Sequence, residues 1–411
     1  MLDLLLRDCR LPDDETPRHV GIADGRIATV GREAPAAREA IEVDGRLVTP
    51  GLVEAHIHLD KALLDDRVTA SAGTLEEAIR LTGEAKRRFT VDDMRARARR
   101  VLDMAIAAGT TAMRTHVEVD PILGLTALDA VLPLKAEYAP AIDLQICAFA
   151  QEGILQSPGT EGLLRRALGR GADLIGGCPY NDTDAAKHIE IVFALARAFD
   201  VDVDFHVDFS DEPDHLHVRE IIAETERAGW QGRVTVGHLT ELAALPLADQ
   251  DAVIADLASA GIGVIALPAT DLYLMGRADE VNVRRGLTPL RRLLAAGVPV
   301  ALASNNIRNP FTPVGTADLA DLTFLAAVAG HMGTARELRA LLDTITVHPA
   351  RLLRLVEYGL AVGCRADLVV WECARPEDAV AMLPPRSLVI KAGRVSIEHE
   401  RRVRERWRDM L

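Results

Sequence analysis

The chain has 411 residues, 49% of them hydrophobic and 26% charged, enough to bury a large core without covalent staples. Lys and Arg number 47 against 61 Asp and Glu, and a net charge of −14 without basic runs argues against nucleic acid or anionic membrane as partners. Cys9, Cys147, Cys178, Cys364 and Cys373 form no CxxC pair, and no apolar run reaches about 18 residues; this excludes a disulfide framework, a thiolate zinc site and a membrane-spanning helix, and makes a cytoplasmic protein the expectation.

Residues 1–48 read as short strands, with Asp24-Gly25 in HVGIADGRIATVG marking a hairpin turn. The strand LVTPGLVEAHIH (47–58) follows and ends in His56-Ile57-His58. TLEEAIRLTGEAKRRF and DDMRARARRVLDMAIAAG space their apolar residues three and four apart, which predicts helices. Next come the strands TAMRTHVEV (111–119), DLQICAFA (143–150) and DLIGGCPY (173–180), then the helix DAAKHIEIVFALARAF. The series continues with VDVDFHVDF (201–209), RVTVGHL (233–239), IGVIALPA (262–269) and VPVALASN (298–305). The tail, GLAVGCRADLVVWE and SLVIKAGRVSIEHE, is β-rich again, with a tight turn at Ala392-Gly393.

Eight Val-, Ile- and Ala-rich strands alternating with helices suit an α/β fold, a (β/α)8 barrel of TIM type. No GxGxxG opens a helix, which weakens the doubly wound alternative. The expected plan is a barrel over residues 49–354 and a small β-sandwich module built from both termini, 1–48 and 355–405.

In such a barrel the chemistry lies at the carboxyl ends of the strands. His56 and His58, two apart on a strand, point the same way and can reach one cation, although a lone HxH is also compatible with two packing histidines. His116, His206 and His238 end three further strands, so five of the 12 histidines gather where a site would form. His188, His215, His217 and His331 fall in helices or loops and read as surface or packing residues.

GLVEAHIHLDKALL, RTHVEV, FAQEGIL, the single His206, Gly237-His238, NNIRNPFTPVGTAD, ITVHPARLL and the tail GLAVGCRADLVVWE resemble, in this order, the amidohydrolase superfamily. The likeness is nearest to its cytosine deaminase and N-isopropylammelide amidohydrolase branch and runs along nearly the whole chain. It implies one divalent metal ion, zinc or iron, held by His56, His58 and His206, with His238 polarising water or substrate. It also implies that Gln151 binds an amide or amidine edge of a small nitrogen heterocycle. Strand 4 ends in Gly177-Cys178-Pro179-Tyr180, without the bridging group of two-metal branches. The expected activity is hydrolysis of a non-peptide C–N bond by metal-activated water, as in a deaminase or cyclic amidohydrolase.

Two positions depart from the family. Where it has a metal-binding aspartate after strand 8, this chain has Asn305, a neutral fourth ligand that brings no charge and cannot act as a base, which leaves metal occupancy open. Where it has a proton-carrying glutamate after His206, this chain has Phe209. Asp208, two residues after His206, is the expected substitute as base or ligand; accepting backbone N–H bonds in a loop is its other reading. Lys61 neutralises an anionic substrate or pairs with Asp60. Arg114, His116 and Arg308 are candidate substrate contacts, with Glu152 another polar residue at a strand end. A metal-free or non-catalytic binding relative is the alternative function, and a homo-oligomer stays open.

Overall fold

The computed structural model describes residues 1–406, and there sixteen strands form two sheets of eight. The chain opens with β1 (Leu2–Leu11), β2 (Asp14–Ala23), β3 (Arg26–Gly31), β4 (Ala37–Glu42) and β5 (Leu47–Pro50). The middle holds β6 (Leu52–Ile57), β7 (Thr110–Glu118), β8 (Asp143–Ala150), β9 (Leu174–Gly177), β10 (Asp202–Val207), β11 (Val234–His238), β12 (Gly263–Ala266) and β13 (Val300–Leu302). It ends with β14 (Leu368–Trp371), β15 (Arg386–Lys391) and β16 (Arg394–Glu398).

Strands β6 to β13 pair in sequence order, each parallel to the next, and make the (β/α)8 barrel. It closes at Asn305, whose N–H donates to the His56 carbonyl while its own carbonyl accepts from the His58 N–H, both at 2.8 Å. Helices Leu75–Ala85, Val91–Ala107 and Ala185–Phe199 lie where the apolar spacing predicts them. Thr74, Thr90 and Asp184 cap them through side-chain oxygens that accept backbone N–H bonds. Among the described residues no helix is long and apolar enough to cross a membrane, and all five cysteines are free.

The second sheet combines both ends of the chain in the order β16-β15-β14-β5-β1-β2-β3, with β4 on β1. Leu4, Leu6, Val20 and Ile22 from one end bury against Leu368, Val370 and Ile390 from the other. Both expected turns form: φ is positive at Asp24 and Gly25 (51° and 75°) and at Ala392 and Gly393 (47° and 76°), the geometry that fits a twisted two-residue hairpin.

The segment 47–58, read as one strand, is two. Its first half lies in the terminal sheet and its second opens the barrel. Gly51 makes the transfer, because a Cβ there would stand 2.1 Å from Thr111 Oγ1.

Strand β6 also carries an irregularity that shapes the site. Its register with β7 passes from Glu54↔Met113 to Ile57↔Thr115, so three steps on one strand face two on the other. The Glu54 carboxylate fills the gap, accepting N–H bonds from His56 (3.0 Å) and Ser304 (3.1 and 3.2 Å).

Candidate metal centre

Three histidine rings from two strands converge at the carboxyl end of the barrel. His56 Nε2 lies 3.0 Å from His206 Nε2, and His58 Nε2 lies 3.1 Å from the same atom. None of the three residues is more than 3% exposed. Burial, aided by neighbouring His116 and His238, holds the His56 imidazole down at about 3, and burial likewise keeps His58 and His206 well below the ordinary value. All three are therefore neutral at pH 7, the form in which imidazole ligates.

Nitrogens on one ion at about 2.0–2.1 Å from each would sit about this far apart. The Nδ1 atoms of the three rings have no hydrogen-bond partner, and neither does the buried Asn305 Oδ1. Three neutral imidazoles and an orphaned amide oxygen fit a divalent cation. A purely structural cluster would leave the buried Asn305 oxygen unsatisfied.

The His116 ring stacks on His56 with centroids 3.9 Å apart. Asp204 Oδ1 stands 3.4 Å from His116 Nε2 and 3.7 Å from His56 Nδ1. The other Asp204 oxygen accepts from Arg114 at 2.9 Å, a bond between β7 and β10 that must cross the barrel interior because those strands are not neighbours. Arg114 also donates to Thr235, Gln145 and the Leu352 carbonyl. Arg114 is thus engaged in a buried structural network in place of the expected substrate contact, whereas His116 lies against the histidine cluster with both ring nitrogens free of hydrogen-bond partners.

Asp208 and Arg308 both lie beyond the ends of their strands. Positive φ values at both (49° and 51°) turn the chain out of strand geometry, so the period-two rule fails there. Asp208 accepts the backbone N–H groups of His217 (2.8 Å) and Val218 (3.1 Å), at the start of helix Val218–Ala228. Each Asp208 oxygen thus holds one backbone N–H, which is the loop-carboxylate reading of this residue. Arg308 points to the surface and pairs with Asp65.

Lys61 pairs with Glu118 Oε1 at 2.8 Å and donates to Gln151 Oε1 at 3.1 Å, rather than pairing with Asp60. Asp60 accepts the Glu118 N–H instead. Glu152 joins Glu118 and Asp120 around the buried Lys86. Gln151 is 6% exposed and its amide Nε2 remains the donor end, 3.6 Å from Cys178 Sγ.

Phe209 fills an apolar wall with Ala78, Leu274, Met275 and Phe311. Its ring stacks on His238, centroids 3.7 Å apart and 24° from parallel. His238 Nδ1 is 2.8 Å from Asp271 Oδ1.

The sequence reading passed over Asp204, Asp271 and Glu118. Two of these carried a signal: Asp204 is two residues before His206 on one strand, and Glu118 is two after His116. Asp271 sits in helix Pro268–Leu274, outside any strand period.

Glu54 gives a test of the bulge. Burial raises its carboxyl from 4.5 to about 7, against the N–H bonds from Ser304 and His56. A folded-state value above the unfolded one means that the folded protein binds the extra proton. This contribution is intact below pH 4.5 and lost as pH rises through 7. In urea unfolding of metal-free protein, wild type should lose about 3 kcal/mol relative to Glu54→Gln across that interval. A difference that does not vary with pH contradicts the assignment.

Residues 39–397 match an amidohydrolase family. N-isopropylammelide isopropyl amidohydrolase of Pseudomonas sp. (strain ADP) is 28% identical over 97% of this chain and 98% of its own length. Pterin deaminase of Rhizobium rhizogenes is 29% identical over 91% and 86%. The crystal structure of 5-methylcytosine deaminase from Klebsiella pneumoniae, liganded with 5-fluorocytosine, superposes with a TM-score of 0.93 at 32% identity, covering 97% of this chain and 99% of that one.

Proposed function

The chain belongs to the amidohydrolase family, and from that premise we propose that it hydrolyses a C–N bond of a small nitrogen heterocycle with the help of one divalent metal ion. The observation that carries this is the meeting of three buried histidine Nε2 atoms, with Asn305 joined to His56 and His58 through the backbone and its side-chain oxygen unpartnered. His56, His58, His206 and Asn305 would hold the ion. When bound, it lowers the pKa of water and polarises the carbon under attack. Zinc and iron both accept neutral imidazoles, so the donor set serves either.

The remaining roles follow from what each side chain can donate or accept. Lys61 occupies the oxygen of the Gln151 amide, which fixes its Nε2 as a hydrogen-bond donor for a ring carbonyl or ring nitrogen. The aromatic rings of Phe209 and Phe311 make the site an apolar slot for a flat ring. His238 takes the proton of the attacking water and delivers it to the departing nitrogen, as Asn305 and Phe209 cannot.

The test is release of ammonia or amine by metal-loaded protein from a panel of aminated pyrimidines, s-triazines, pterins and cyclic ureas. Turnover of at least one, abolished by a chelator and restored by zinc or iron(II), is the expected result. Loaded protein that binds members of the panel but releases nothing favours a binding protein, the reading that Asn305 and Phe209 support.

Asn305→Asp supplies the missing ligand charge. It should tighten metal binding by about 10–100-fold in chelator competition, since affinity follows the charge count of the ligands. Unchanged or weaker affinity would remove Asn305 from the metal shell.

A further inference from the structure

The carboxylates around the site can be followed one by one. Asp60 accepts the Glu118 N–H, Glu118 is held between Lys61 and Lys86, and Asp120 and Glu152 lie on Lys86. Asp208 holds two helix N–H groups, and Asp204 is bound to Arg114. Asp271 is different. It is fully buried, with Oδ1 2.8 Å from His238 Nδ1 and Oδ2 accepting the Leu267 N–H at 3.2 Å.

An ionised carboxylate only accepts hydrogen bonds, so the shared hydrogen sits on His238 Nδ1 and the lone pair on Nε2. The ring has little room to turn. Phe209 stacks flat against it at 3.7 Å, and Thr288 Oγ1 holds the His238 carbonyl. The aromatic side chain that replaces a proton carrier therefore braces another one.

We propose that Asp271 is a positioning residue that holds His238 as the Nδ1–H tautomer, with the Nε2 lone pair facing the histidine cluster. The role in catalysis rests on the hydrolase reading above. As the water oxygen bonds to the ring carbon, His238 Nε2 accepts the water proton. As the C–N bond breaks and its electron pair leaves with nitrogen, that proton goes to the nitrogen. Asp271 stays ionised throughout and steadies the imidazolium. One histidine thus performs in sequence both transfers that carboxylates at positions 209 and 305 would otherwise share.

The experiment pairs a tautomer measurement with kinetics. In protein labelled with 15N-histidine, long-range proton–nitrogen spectra, assigned by comparison with His238→Asn, should show His238 protonated at Nδ1 and not at Nε2. Asp271→Asn should shift this population toward Nε2–H. It should also lower kcat by about 10²–10⁴-fold, leaving KM within about threefold and metal content unchanged, and Asp271→Glu should recover part of the loss.

A wild-type His238 protonated at Nε2 overturns the proposal whatever the kinetics show. So does an Asp271→Asn variant with unchanged kcat, or one whose loss is accompanied by loss of metal or fold. If wild type turns over no heterocycle, the hydrolase reading fails, and the tautomer spectra still decide the position of the hydrogen.

Discussion

His206→Ala is expected to weaken binding of the divalent ion by about 10³-fold or more, roughly 4 kcal/mol, and to bring hydrolysis below detection. His206 Nε2 is the atom that both other ligand nitrogens approach, at 3.0 and 3.1 Å. Its removal leaves two imidazoles from one strand and an amide. Phe149 stacks on the His206 ring with centroids 4.9 Å apart and holds it in place. Chelator competition and elemental analysis measure the loss. His331→Ala, on an exposed histidine, is the control and should keep the wild-type metal content. Near-wild-type affinity in His206→Ala would mean that the ion, if any, binds elsewhere.

Arg114→Met carries the largest expected cost to stability, about 3–5 kcal/mol. Arg114 and Asp204 are 1% and 0% exposed, and the guanidinium ties together β7, β8, β10 and β11. Without it the Asp204 carboxylate is buried beside His56 with no cation to balance it. Pairing the change with Asp204→Leu should recover much of the loss, because an apolar replacement of both partners avoids the unpaired charge. Urea unfolding at pH 7 gives the comparison. A loss below about 1 kcal/mol for the single variant would show that solvent reaches Asp204 after all.

The physical reasons for success and failure in reading the sequence differ from element to element. The eight barrel strands were legible because each is an apolar run closed by polar residues. The break at Gly51 was not, since apolar residues lie on both sides of it and only the contact with Thr111 shows why the chain changes sheets. His56, His58 and His206 were legible from strand periodicity and from the family resemblance together. At Asp208 and Arg308 the same rule gives no direction, because strand periodicity stops at a residue with positive φ. Asp271 had no local signal: its meaning comes from a contact with His238, 33 positions away. Phe209 was seen as a lost glutamate, but its packing against His238 needed coordinates.

The direct test of the account is the metal content of freshly purified protein, without added metal. Close to one zinc or iron per chain, removable by chelator and absent from His206→Ala, is the expected result. A site that is empty on purification and refuses zinc and iron(II) on titration would contradict it, and the converging histidines would then have to be explained without a cation.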